Sequence, residues 1–235
     1  MRDFIMGFFK PAWQSKNVNK ALEAVEKETS QTNLLKIVIY MYEESTIAGS
    51  HSILCAAIEK LISIVDNSTL IQYIKNYNIP NLRQAAVAKV DDNDMLIDIA
   101  KHDENEYVRS AAINRLTDQE LLANIATNNE YLYARQTAIE RLTNQELLAD
   151  IAKKDKYYEA RKSAIKNENL NNQDLFAKIA RHEEDDYVRW AAIERLTNHE
   201  LLAHIAANDK SFNARRLADK KLTGRDVVAD TLFGL

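Results

Sequence analysis

Apolar residues recur along this chain at the three- and four-residue spacing of amphipathic α-helices, in pairs of short segments. Two of these pairs read YVRSAAINRLTDQELLANIA, which begins at Tyr107, and YVRWAAIERLTNHELLAHIA, which begins at Tyr187. In each, one apolar stripe runs to the leucine of the Arg-Leu dipeptide, and a second begins at the following Leu-Leu. Each pair therefore predicts two helices joined by a short turn.

Six copies of this pair can be aligned on one arginine. Successive arginines are 26 residues apart, except for a spacing of 28 near residues 167–169. Two less regular copies precede them, at about residues 20–37 and 54–74, so the sequence predicts about eight repeats. Helices of about ten residues are unstable alone, so the copies are expected to stack as one domain over residues 17–235. The aligned arginines are Arg83, Arg109, Arg135, Arg161, Arg189 and Arg215.

An alanine lies three positions after each of these arginines, which predicts that neighbouring helices approach closely there. These alanines are Ala86, Ala112, Ala138, Ala164, Ala192 and Ala218.

The turn between the two helices is predicted to be capped by side chains. A threonine three positions before an acid is typical of a capping box, in which the threonine is the N-cap. With only four glycines and two prolines in the chain, such capping also favours helices over a strand-rich fold. The four pairs are Thr117 with Glu120, Thr143 with Glu146, Thr197 with Glu200 and Thr223 with Asp226.

An acidic or amide residue stands six positions before five of the arginines, and valine or alanine directly precedes each of the five. This pattern resembles HEAT repeats, although the unit is shorter and nearer in length to the leucine-rich-repeat variant type. The resemblance implies an all-α, right-handed solenoid with a hydrogen-bonded ladder between neighbouring repeats and with the first helix on the concave face. An arginine in the first turn of a helix also needs a nearby acceptor, so a structural ladder is the favoured interpretation. The pairs are Asp103–Arg109, Asn129–Arg135, Asp155–Arg161, Glu183–Arg189 and Asp209–Arg215.

The residue after each arginine gives the candidate binding column, because its polar members predict a solvated position. Trp190 is then expected to show much of its ring to water and to anchor a partner; alternatively, it covers Tyr187 or a lysine stem. The nearby cations suit an acidic peptide or a phosphate, or form a solvated face of mixed ion pairs. The candidate partner-binding residues are Trp190, Lys162, Lys166, Gln136, Arg216 and Lys220.

Catalysis and metal binding find little support in the residues. The five histidines are scattered, and there is no phosphate loop and no nucleophile motif, so no metal, no cofactor and no enzymatic activity are predicted. The single cysteine, Cys55, lies in an apolar helix and is expected to be inert core. One cysteine and no apolar run of about 18 residues favour a cytoplasmic protein without a transmembrane segment.

Residues 1–16 stand outside the repeats and concentrate apolar side chains, among them Phe4, Phe8 and Trp13. They are predicted to cap the first repeat; docking on a membrane surface or a partner is the alternative. Apolar residues at both termini also allow a homo-oligomer.

These features predict a non-enzymatic scaffold that binds a peptide or protein on the concave face. A net charge of −4 disfavours nucleic acid as the partner. The alternative is a nucleic-acid-binding or DNA-repair enzyme that resembles the HEAT-like DNA glycosylases. A chromophore-attachment role, like that of some HEAT-like lyases, has no residue-level support.

Overall fold

The computed structural model describes residues 12–15, 17–46 and 49–224. Within this part of the chain, fifteen α-helices and one short 3₁₀ helix, Ala12–Gln14, form the regular structure, and no strand occurs. The all-α prediction is therefore confirmed. The α-helices are α1 Val18–Lys27, α2 Gln31–Glu43, α3 Ser50–Ile64, α4 Asn67–Asn76, α5 Pro80–Val87, α6 Asn93–His102, α7 Glu106–Ile113, α8 Gln119–Asn128, α9 Leu132–Arg141, α10 Gln145–Lys154, α11 Tyr158–Lys166, α12 Gln173–His182, α13 Asp186–Arg195, α14 His199–Asn208 and α15 Phe212–Thr223.

The helices form two compact units, one ending at Arg115 and the other beginning at Leu116. In the first unit, α3 packs against α1, α2 and α5, while α5 also packs against α4 and α7, and α6 against α7. In the second unit, each even-numbered helix packs against the odd-numbered helix that follows it, and α9, α11, α13 and α15 form a row. Each unit is thus built from contacts between neighbours along the chain, which is compatible with a helical repeat solenoid.

The second helix of a repeat begins one residue later than the capping-box pattern predicts. Its N-cap side chain is an aspartate or asparagine, and Asp118 and Asn144 each accept hydrogen bonds from two backbone N–H groups of the first turn. Asn198 caps α14 in the same way through the N–H of Leu201. The assignment of the preceding threonines as N-caps is therefore wrong, because asparagine and aspartate are the stronger N-cap residues. Asp226 lies outside the described residues.

Two of the threonines that precede these N-caps, Thr143 and Thr197, link neighbouring repeats instead. The backbone N–H and the hydroxyl of Thr143 both donate to Gln119 Oε1, at 3.0 and 3.1 Å. Thr197 makes the same two hydrogen bonds to Gln173. The first residue of one second helix therefore holds the turn that leads to the next.

The alanine column is completely buried, with Ala86, Ala112, Ala138, Ala164, Ala192 and Ala218 all at 0% exposure. Because these positions are completely buried, a larger side chain there would displace the neighbouring helices.

Replacing Ala138 with leucine should overpack the row of first helices and cost about 1–3 kcal/mol of stability. A thermal unfolding scan measures the loss. The matched control is Ala203→Leu, on the exposed side of α14, which should change stability by no more than about 0.5 kcal/mol. Equal melting temperatures for the two variants would contradict the close packing.

Candidate functional site

The aligned arginines hold the repeats together in two directions. The guanidinium of Arg161 donates through Nη1 to the backbone oxygen of Asp155 at 2.9 Å, in its own turn. Through Nη2 it donates to the carboxylate of Glu183 in the next repeat, at 2.8 Å. One side chain therefore fixes its own turn and the following one.

The other arginines repeat parts of this arrangement. Arg109, Arg189 and Arg215 donate to the backbone oxygen six residues earlier, at 2.5, 3.0 and 2.7 Å. Arg135 instead reaches the backbone oxygen of Thr127 and pairs with the Asp155 carboxylate. Arg83 has no acid six residues before it, yet it pairs with Asp103 at 3.2 Å.

The acidic and amide residues also shape the turns. A side-chain oxygen of each accepts the backbone N–H two residues later, at 2.7 to 3.1 Å. These residues are engaged inside their own unit and are no more than partly exposed, so they offer little surface to a partner. They are Asp103, Asn129, Asp155, Glu183 and Asp209.

A second set of polar side chains, which the sequence reasoning missed, covers the ends of the first helices. Arg115 donates to the backbone oxygen of Ala88 at 2.6 Å, and Arg141 to that of Leu116 at 2.8 Å. Asn167 occupies the place of Arg141 one repeat later, and its buried amide donates to the backbone oxygens of Ile139 and Leu142. The available signal was the recurring cation before leucine at the end of the first helix.

The candidate binding column is less uniform than its polar members predict. Gln84 and Arg216 are exposed, Gln136 and Lys162 are half-buried, and Ser110 is buried. Trp190 is also half-buried, and its indole Nε1 is shielded from solvent with no hydrogen-bond partner among the described residues. Trp190 thus shows less of its ring than expected, because Tyr187 packs edge-on against it with ring centroids 5.1 Å apart.

Trp190 belongs to a surface group that we call the aromatic cluster, formed by Tyr158, Tyr187 and Trp190. Tyr187 stacks on Tyr158 across the α11–α13 contact, with centroids 6.0 Å apart and planes at 27°. Tyr187 is 53% exposed and Tyr158 is 37% exposed. The ammonium of Lys162 lies over the Tyr187 ring, 5.7 Å from its centroid. The cluster therefore presents stacked rings and a cation to solvent.

The pKa of the Tyr158 hydroxyl is shifted by an acid of its own helix. Its hydrogen bond with the Glu159 carboxylate raises the pKa of Tyr158, with smaller contributions from the Glu159 charge and from burial. Tyr158 therefore stays neutral up to a higher pH than a free tyrosine.

The remaining candidate cations lie on the same row of helices as the aromatic cluster. The ammonium of Lys166 faces the Glu194 carboxylate at 3.8 Å, and both side chains are about half exposed. Arg216 and Lys220 are exposed on α15. Lys221, which adds to the basic character of this helix, donates to the backbone oxygen of Glu194 at 2.5 Å.

The surface of the second unit also contains depressions. One of about 580 Å³ is lined by residues of two turns, among them Lys154, Arg161, His182 and Glu184. Its lining mixes both charges. The described residues contain no group of three histidine, cysteine or acidic side chains arranged to hold a metal ion.

Two further sequence expectations concern the first unit. Cys55, expected in the core, is partly exposed, and its Sγ lies 3.7 Å from His51 Nε2 on the same helix. Of the N-terminal segment, Trp13 packs edge-on against Tyr40 of α2, with centroids 5.1 Å apart. Residues 1–11 and 16 lie outside the described part of the chain.

No family model, curated protein or solved structure matches the chain. None of the described helices combines the length and the apolar character that a membrane crossing requires.

Proposed function

We propose that this chain is a non-enzymatic protein-interaction scaffold, built as a right-handed solenoid of about eight HEAT-like repeats. A peptide or protein segment binds to the first helices of the second unit, and the aromatic cluster is its anchor. The observation that carries this proposal is the exposed, stacked arrangement of Tyr158 and Tyr187 beside Trp190.

The packing of the second unit supports the choice of face. Its first helices, α9, α11, α13 and α15, make extensive contacts with one another, whereas the second helices mainly contact the first helix that follows them. A row of repeats whose first helices pack more closely than its second helices curves towards the first helices. Exposed side chains on these helices then lie on the inner side, where an extended partner contacts several repeats at once.

Tyrosine and tryptophan suit a protein interface for two physical reasons. They supply a large contact area while losing little conformational entropy, and they are enriched among residues that dominate binding energy. In this cluster, the rings already restrain each other, and the arginine contacts described above fix the turns that carry their helices. Binding therefore orders few additional groups, which favours affinity.

The nucleic-acid alternative has weaker support from the same residues. Lys162 lies over Tyr187, Lys166 faces Glu194, and Arg215 is bonded to backbone oxygens of its own turn. Arg215 is therefore engaged inside the protein, and the Glu194 carboxylate beside Lys166 opposes an approaching phosphate. The net charge of −4 also opposes a phosphate backbone.

Replacing Trp190 with alanine should reduce partner binding at least about tenfold, the effect of losing an interface hot spot. The test is affinity capture from source-cell lysate with the wild type, Trp190→Ala and the control Tyr42→Ala, which removes an exposed tyrosine from α2 of the first unit. The proposal expects a protein retained by the wild type and the control but lost by Trp190→Ala. Equal retention by all three, or retention of nucleic acid alone, would overturn it.

A further inference from the structure

We infer that the segment bound by the aromatic cluster is an acidic peptide, with aspartate or glutamate on both sides of an apolar residue. This partner class rests on the proposed function, and it adds the chemistry that selects the partner. It follows from the way in which charges surround the cluster on three neighbouring helices.

The relevant positions are the first and fifth residues after each aligned arginine. On α11 both positions are lysine, and on α15 they are arginine and lysine; on α13, between them, they are tryptophan and glutamate. At these positions α11 and α15 together carry four cations and α13 one acid, while Glu159 and Asp185 add negative charge at the Tyr158 end of the cluster. We call these six residues the basic–aromatic face: Lys162, Lys166, Trp190, Glu194, Arg216 and Lys220.

Within the second unit, the cations at these two positions begin at α11 and are absent from α9. On α9, which packs against α11 on the side away from α13, the same two positions are Gln136 and Glu140. The cations are thus not a general property of the first helices. At these positions the cations lie on α11, which carries Tyr158, and on α15, which packs against α13, where a partner held by the rings would meet them.

The existing contacts of Lys162 and Lys166 leave both ammonium groups available to a ligand. The exposed Lys166–Glu194 pair, at 3.8 Å, contributes little, because such pairs are screened by water and salt. The ammonium of Lys162 lies over a ring face, 5.7 Å from the Tyr187 centroid. It can donate a hydrogen bond to a carboxylate while its stem stays on the ring. A carboxylate beside Tyr187 would then be bound by a cation that is already positioned.

A peptide fits this face better than a nucleic acid does. Glu159 and Glu194 stand among the lysines, so a continuous line of phosphates would pass close to carboxylates and be repelled. A peptide places its acids individually and fills the space over the rings with an apolar side chain, which matches two groups of cations separated by aromatic residues.

Selection of peptides that bind the full chain tests whether the partner is acidic. A library of short random peptides displayed on phage is selected on the wild type and depleted on Trp190→Ala. The surviving peptides should contain aspartate and glutamate about twofold or more above the unselected library, with few lysines and arginines. Trp190-dependent peptides without an acidic bias would overturn this inference and leave the proposed function standing, whereas no Trp190-dependent peptide at all would sink both.

One selected peptide, labelled with fluorescein, then locates the charge effect by anisotropy. Lys162→Gln should weaken its binding about three- to tenfold, because an interface charge contact is lost. Lys178→Gln, which removes an exposed lysine from the second helix α12, makes the same change in net charge and should leave the affinity unchanged. Equal affinities for the two variants, tighter binding of a phosphorylated version of a non-acidic peptide, or tighter binding of a short DNA duplex would each contradict an acidic-peptide site.

Discussion

Replacing Arg135 with alanine should lower the free energy of unfolding by about 3–5 kcal/mol, the usual cost of breaking a buried ion pair from one side. Arg135 is only 4% exposed, and its guanidinium pairs with the equally buried Asp155 carboxylate and donates to the backbone oxygen of Thr127. Without the arginine, the carboxylate is left inside the second unit, where the backbone N–H of Tyr157 is its one remaining hydrogen-bond donor within the described part of the chain. Urea unfolding followed by circular dichroism measures the change.

The control for Arg135 is a surface ion pair of the same unit. Lys154 pairs with Asp150 at 3.3 Å, one helical turn apart, and both side chains are largely exposed. Lys154→Ala should therefore cost no more than about 0.5 kcal/mol. If both variants lost the same stability, the contact between repeats would contribute nothing beyond an ordinary surface charge.

Replacing Phe176 with alanine should lower the free energy of unfolding by about 3–5 kcal/mol, because the cavity left by a buried ring collapses only in part. Phe176 is completely buried in α12, and Arg195 lies over its ring at 5.2 Å. The equivalent residues of neighbouring repeats are leucines, including Leu148 and Leu202. This repeat also carries the two extra residues near Asn167, and Arg195, which covers the ring, donates to the backbone oxygens of Asn167 and Leu170 in that longer turn. We therefore expect the longer turn to leave room for the larger ring.

Two variants check this explanation of Phe176. Phe176→Leu restores the residue of the other repeats and should cost less than the alanine variant, about 1 kcal/mol. Phe212→Ala removes a ring that is 66% exposed at the start of α15 and should stay within about 0.5 kcal/mol of the wild type. A leucine variant as stable as the wild type would show that the longer turn creates no extra space.

The helices could be predicted from the sequence because their periodicity is repeated. One apolar stripe alone leaves its ends uncertain, but six copies in register locate both helices of each repeat, and the buried alanine column marks where they touch. The helix starts were misplaced by one residue, since threonine and asparagine are adjacent there and both are N-cap residues. The contact of Thr143 with Gln119 decides between them, and it depends on how repeats pack.

The candidate site could be predicted only in part. The sequence located the arginines, the acids and Trp190, but not the set of Arg115, Arg141 and Asn167, because a cation at the end of a helix resembles any solvated charge. It offered the contact of Trp190 with Tyr187 only as an alternative, and it did not predict the stacking of Tyr187 on Tyr158. That arrangement depends on the rotation between α11 and α13, which is set by packing across the whole contact.

The central claim, that the aromatic cluster contacts a protein partner, is tested most directly by photo-crosslinking in the source cell. A photoreactive phenylalanine analogue replaces Tyr187 in one variant and Tyr42, another exposed tyrosine, in a second. Illumination should give a discrete covalent adduct with a polypeptide from position 187 and none of the same mass from position 42. Identical adducts from both positions, or an adduct at position 187 that a nuclease removes and a protease does not, would contradict the claim.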